Sequence, residues 1–162
     1  MFPVITYKAM AMSCSGVKLA KDVVDIFKSL QLRKNVKWVG FKISDNEKEI
    51  VYDCCGEAPS SVNDQQEEEI YVNFVKNNCT DERPMYFIYD FKFITPNGQR
   101  DKLACISWIS DDSPVKLRML YASSKGELSK VVDSSSTVIQ VNDMETMLNY
   151  HDIKQRVLMF SH

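Results

Sequence analysis

The side chains able to do covalent chemistry are few and poorly placed for it. Only two histidines occur, His151 and His162, both at the end of a 162-residue chain. A Ser-His-Asp or Cys-His set needs a base within reach of a nucleophile, and none assembles around them. Five cysteines, Cys14, Cys54, Cys55, Cys79 and Cys105, contain no Cys-x-x-Cys pair, so zinc-ligand spacing is missing. An odd number with two adjacent is no disulfide framework; free thiols of a reducing cytosol fit. Cys54-Cys55 reads as a loop pair, either a redox switch or two ordinary thiols, without a basic neighbour to lower a thiol pKa. Adjacent carboxylates such as Asp111-Asp112 point in different directions, and the five glycines stand singly, with no phosphate-cradling loop. The expectation is a protein that is not an enzyme and carries neither cofactor nor metal.

What remains is the chemistry of docking. The segment Pro114-Val115-Lys116-Leu117-Arg118-Met119-Leu120-Tyr121-Ala122-Ser123-Ser124-Lys125 carries it. At 3.6 residues per turn, Leu117, Leu120, Tyr121, Ser124, Leu128 and Val131 form a core stripe. The opposite face holds Met119, Ala122, Ser123 and Gly126, with Lys116, Arg118 and Lys125 at its margins. A small, partly apolar strip rimmed by cations is a poor solvent face and a good docking face. The alternative is a helix buried on both sides.

Other elements must hold that helix. Val17 to Leu32 has helical spacing, with Ser13 or Ser15 as N-cap. Val36 to Ile43 and Glu49 to Tyr52 read as a hairpin around Asp45-Asn46, and Gly56 to Asp64 as a loop. Gln65 to Asn77 is a helix with an acidic first turn. Met85 to Phe93 and Leu103 to Ile109 are strands joined by a projecting hairpin that carries Arg100 and Lys102. Asn97-Gly98 supplies its positive φ angles; the bland alternative is a solvated turn. The docking helix runs from Val115 to Val132, with Pro114 at its first position and Asp112 or Ser113 as cap. A strand at Val138 to Val141 follows, then a turn or short helix at Asp143 to Leu148. The last helix, His151 to Met159, has Lys154 and Arg156 outward. Ser134-Ser135-Ser136 reads as a loop. Strands apolar on both faces need helices on both sides of one sheet, an α/β (α+β) arrangement.

Composition narrows the partners. Twenty basic against twenty-two acidic residues argue against a general nucleic-acid binder. No apolar run reaches the roughly 18 residues of a membrane span. Residues 1–11 lack the features of a signal peptide, and Met12 is an equally good start. Residues 1–12 are therefore expected to be a leader or alternative start outside a single domain of residues 13–162. Asn78-Cys79-Thr80 matches a glycosylation sequon by chance in a cytosolic chain.

These residues resemble a known family. Ser15-Gly16-Val17, Tyr89-Asp90-Phe91, Trp108 and above all Met119-Leu120-Tyr121-Ala122-Ser123-Ser124-Lys125 on a long helix are similar to the ADF/cofilin family of actin-depolymerising proteins. The resemblance runs from Ser13 to Val157, and the compact length is like that of protist-type members. It implies the ADF-homology fold, a central mixed sheet of five to six strands between pairs of helices. The implied activity is binding of actin monomers and filaments, preferably ADP-bound, with severing and depolymerisation and no covalent chemistry. A monomeric, cytoplasmic, cytoskeletal protein is implied, with phosphoinositides as further ligands.

The resemblance also implies site residues. Ser15 matches the regulatory phosphorylated serine, with Gly16 and Val17 in the same contact. Lys116 and Arg118 match the paired cations that meet monomer and filament, with Met119, Ser123 and Lys125 on the same surface. Arg100, Lys102 and Arg156 match the filament-side cations. Departures are Gly126 where the family usually has Asp, and Met159 where a second basic residue is often found. Arg33-Lys34 is only a remnant of a nuclear-localisation run. A mainly monomer-sequestering member and a non-actin adaptor of the same fold stand as alternatives.

Overall fold

The computed structural model describes residues 16–32, 35–130 and 138–159. Expectations on the leader, Cys14, Ser15, Arg33-Lys34, Val131, Val132, Ser134-Ser135-Ser136 and His162 lie outside them. Six strands form one sheet: β1 (Lys18–Leu19), β2 (Val36–Ile43), β3 (Glu49–Glu57), β4 (Met85–Thr95), β5 (Gly98–Trp108) and β6 (Val138–Val141). Their spatial order is β1-β3-β2-β4-β5-β6, with parallel pairs at the two ends and antiparallel pairs between. The helices are α1 (Lys21–Leu32), α2 (Asp64–Asn78), α3 (Val115–Ser124), α4 (Met144–Leu148) and α5 (Tyr150–Met159), and a 3-10 segment Lys125–Lys130 continues α3.

The centre of the sheet explains why it is covered twice. All five residues from Met85 to Tyr89 are buried, so both faces of β4 are apolar. On one face Phe87, Tyr89 and Phe91 meet Tyr71 and Phe74 of α2 and Tyr150 and Ile153 of α5. On the other, Tyr86 and Ile88 meet Phe27 of α1 and Tyr121 of α3. The expected mixed sheet between helical layers is thus the observed one.

Several local expectations are corrected. Residues 17–20 do not begin the first helix. The Lys18 amide donates to Lys48 O and the Ala20 amide to Ile50 O, so the chain pairs as β1 before it turns helical at Lys21. Ser13 and Ser15 stand too far upstream to cap it. Strand β3 runs to Glu57 rather than stopping at Tyr52, so Cys54-Cys55 sits in a strand and not in a loop. The register steps from Gly40–Cys54 to Phe41–Tyr52, which makes Asp53 a bulge residue. Among the hairpin residues Gly98 takes positive φ, at +125°, and Asn97 does not. Pro114 is the N-cap of α3, and neither Asp112 nor Ser113 supplies a side-chain cap. The Ser113 hydroxyl instead donates to Asp81 O at 2.9 Å.

Candidate functional site

Long-range hydrogen bonds fix α3 to the sheet. The Tyr121 hydroxyl accepts from the Ile43 amide at 2.9 Å, and the Tyr86 hydroxyl donates to Tyr121 O. The strand preceding the helix is anchored as well, since Trp108 Nε1 donates to Thr80 O at 2.8 Å. Buried hydroxyls need such partners, and each bond also sets the helix rotation. The rotation follows the sequence pattern. Tyr121, Ser124 and Leu128 face inward, whereas Met119 is 68% exposed and Val115 60%. Both are large apolar side chains one helical turn apart, on one stripe with Ser123. The Ser123 hydroxyl is turned back to the helix, donating to Met119 O at 2.9 Å.

The cations around this strip differ in freedom. Lys116 is the most exposed, its side chain 79% accessible, and its Nζ lies 3.2 Å from Glu47 Oε1. Arg118 is half-buried and donates from Nε to Ser113 O at 3.0 Å, which uses one of the five donors of its fork. Lys125 is half-buried and turned toward β6, donating to Gln140 Oε1. The α-helix gives way to the 3-10 segment at Lys125.

The N-terminal contact residues lie beside the end of α3. Strand β1, which starts two residues after Gly16, packs on the 3-10 segment. Gly16 is exposed with φ +77°, a conformation that side-chain-bearing residues rarely adopt. Val17 has no exposed surface; its side chain is core beneath α1 and α3. Ser15, next in line, lies outside the described residues.

Arg100 and Lys102 lie on the other side of the sheet, the side that carries α5 and its Arg156. Lys102 pairs with Phe91 and Arg100 with Phe93 across the hairpin, so both cations share the face of those rings. Phe91 stacks on Tyr150 of α5 at 6.4 Å, which places that helix on the same face. Partial desolvation lowers the Lys102 pKa. Arg156 pairs with Asp152 at 3.1 Å. Lys154, expected to point outward, lies over the Phe93 ring at 5.5 Å and 3.2 Å from Asp64. Its long stem covers apolar surface while its head finds a carboxylate.

Two further residues lie at this surface, Val115 and Glu47. Val115 was legible, because it precedes Met119 by four residues. Glu47 was not: its left-handed φ of +61° and its pairing with Lys116 arise from contacts distant in sequence.

The thiols separate by environment. Burial raises Cys54 to about 11, and Cys79 and Cys105 each to about 12. Cys55 is exposed. Iodoacetamide at neutral pH therefore labels Cys55 well ahead of these three, as peptide mass mapping over time will record. Equal labelling of Cys54 and Cys55 contradicts the strand placement.

Pinned by two tyrosines, α3 presents an apolar crest and a cationic rim on its outer face, a composition suited to docking. The comparisons identify the family. A family profile described as "Cofilin/tropomyosin-type actin-binding protein" matches residues 16–158. The cofilin of Gibberella zeae is 33% identical over 151 residues, covering 90% of this chain and 96% of that one. Actin-depolymerizing factor 2 of Oryza sativa is 32% identical over 130 residues, covering 80% and 83%. The crystal structure of Plasmodium berghei actin depolymerization factor 2 superposes with a TM-score of 0.71 at 25% identity, covering 90% of this chain and 98% of that one. The chain belongs to the cofilin and actin-depolymerising-factor family.

Proposed function

We propose that this protein binds actin monomers and filaments and promotes filament severing, depolymerisation and monomer turnover. The observation that carries the reading is the outer face of α3, where Val115 and Met119 are exposed beside Lys116 and Arg118. Exposed apolar side chains within a cationic rim suit an apolar groove edged by acids, the kind of partner surface actin is taken to offer. The role is one of binding, without covalent chemistry.

Each candidate residue has a place in it. Lys116, Arg118, Met119 and Ser123 meet both monomer and filament, and Gly16 holds the adjacent N-terminal contact; Val17, buried in the core, only anchors it. Lys125 joins them once it leaves Gln140. Arg100, Lys102 and Arg156 touch a second subunit in the filament. A phosphate on Ser15 adds about −2 charge beside this surface and weakens binding. The same cations take phosphoinositide head groups. ADP-actin is the preferred form, the working state a monomer and the location the cytoskeleton.

The two-face arrangement is tested by separating monomer from filament binding. Arg100→Ala with Lys102→Ala is expected to weaken pelleting with filaments about tenfold, or about 1.4 kcal/mol. Inhibition of nucleotide exchange on monomers should stay unchanged. A parallel loss in both assays refutes the division. Met159, 69% exposed where the family resemblance implies a basic residue, favours a weaker filament side. Strong exchange inhibition with no pelleting by the unaltered chain would establish that sequestering form. Failure in both assays leaves neither.

A further inference from the structure

A cavity of about 330 Å³ lies between α1 and the β2–β3 hairpin, outside the surfaces described above. Ile26 and Leu30 of α1 and Val36 and Val39 of β2 make its apolar wall. The bulge at Asp53 completes it. Without an extra residue, Tyr52 and Cys55, three apart, would point to opposite faces of the sheet. The register step at Asp53 brings both to this cavity. A bulge that re-aims a side chain beside a cavity is a recurrent feature of binding sites.

The charged groups that line it are of one sign. Asp22 and Asp25, one helical turn apart, line the cavity and are exposed. Neither has an ion-pair partner among the described residues. Lys21 and Lys28, the helical neighbours of Asp25, leave both carboxylates unpaired. Oxygens of Ser29, Asn35 and Tyr52 add further acceptors. A carboxylate pair accepts hydrogen bonds and donates none, and an ammonium group donates three and accepts none. The half-exposed Tyr52 ring presents a π-face, which also attracts a cation. The volume lies at the low end of small-molecule sites.

We propose that this cavity binds a small amphipathic cation, an ammonium group carried on an apolar body. The body fills the space against Ile26, Leu30 and Val39, and the ammonium sits between Asp22 and Asp25. Binding is non-covalent and does not depend on actin.

The probe is 2-phenylethylamine, with 2-phenylethanol and 3-phenylpropanoate as neutral and anionic matches, titrated into methyl-labelled full-length protein. The amine is expected to shift the Ile26, Leu30, Val36 and Val39 methyl signals saturably, with Kd about 1 mM for about nine heavy atoms. It should also slow alkylation of Cys55 by about fivefold at about four times that concentration, by simple occupancy. Asp22→Asn with Asp25→Asn should raise Kd about tenfold. Both positions are exposed, so the far-ultraviolet dichroism should not change. Cys55→Trp, which fills the cavity from the strand side, should abolish the shifts in a folded chain. The proposal is overturned if the alcohol or the carboxylate binds as well as the amine. It is equally overturned if the Asn pair retains full affinity, or if no ligand shifts these methyls.

Discussion

Replacing Lys116 and Arg118 together by alanine will weaken binding to monomeric actin about 100-fold, or about 2.8 kcal/mol, and leave the fold intact. The two side chains are placed for opposite reasons. Lys116 is held to Glu47 by an ion pair in which both partners are well exposed. Such a pair contributes about 0–1 kcal/mol, so its loss hardly affects stability and its rupture on docking costs little. Arg118 is half-buried and already oriented by its bond to Ser113 O. It therefore loses little side-chain freedom on meeting a carboxylate, and its planar fork suits one. Losing the Arg118 bond at the start of α3 costs about 1 kcal/mol, which lowers Tm by about 2–4 °C. Inhibition of nucleotide exchange on monomers measures the affinity, and a thermal melt provides the control. Unchanged affinity in a folded double variant would remove α3 from the docking surface. Lys116→Ala alone should leave Glu47 as an uncompensated acid beside an acidic partner, so it loses more than half of the effect in free energy.

How much of this was visible in the sequence depended on how local the cause was. The inward stripe of α3 is a matter of period, and Tyr121, Ser124 and Leu128 are buried as their spacing requires. The end of that helix is different. The periodic pattern continues to Val132, but the α-helix stops at Ser124 and tightens into a 3-10 segment. Gly126 has weak helix propensity, and the hydroxyls of Ser123 and Ser124 both bond back to Leu120 O. Those bonds favour a local break that periodicity does not register. Strand β3 was cut short for a related reason. Asp53-Cys54-Cys55-Gly56 carries turn-like residues, yet Gly56 is required in the strand itself. A Cβ there would lie 2.1 Å from Trp38 Nε1, so only glycine lets that indole close over the strand. The outer face of α3, proposed above to dock, was legible because its residues lie on one helix. Its neighbours were not, because Glu47, the turned Lys125 and the buried Val17 owe their positions to strands far away in sequence.

The largest stability effect is expected from Glu67, a residue with no role in docking. Its carboxylate accepts from Lys37 Nζ at 2.9 Å, linking α2 to β2, with side-chain exposures of 3% and 8%. Lys37 also lies 5.4 Å from the centroid of the Tyr89 ring, inside the larger aromatic cluster. Glu67→Leu keeps the packing volume and removes the carboxylate, so the ammonium is left buried without a counter-charge. Breaking a buried pair in this way costs about 3–5 kcal/mol, a large part of a typical domain's margin of about 5–15 kcal/mol. At about 2–4 °C per kcal/mol the melting temperature should fall by at least about 6 °C. Lys37→Met in the same chain removes the orphaned charge and supplies a flexible apolar side chain for its space. The double variant should recover most of the loss, because replacing both partners of a buried pair is often neutral or stabilising. Chemical denaturation of the four proteins of this cycle gives the coupling directly. A Glu67→Leu variant as stable as the parent would mean that water reaches Lys37 and that the pair is not a buried one. A double variant no better than the single would assign the loss to packing at position 67 rather than to charge. In either case affinity for monomeric actin, measured below the melting temperature, should not change, because the pair lies under α2, on the side of the sheet away from α3.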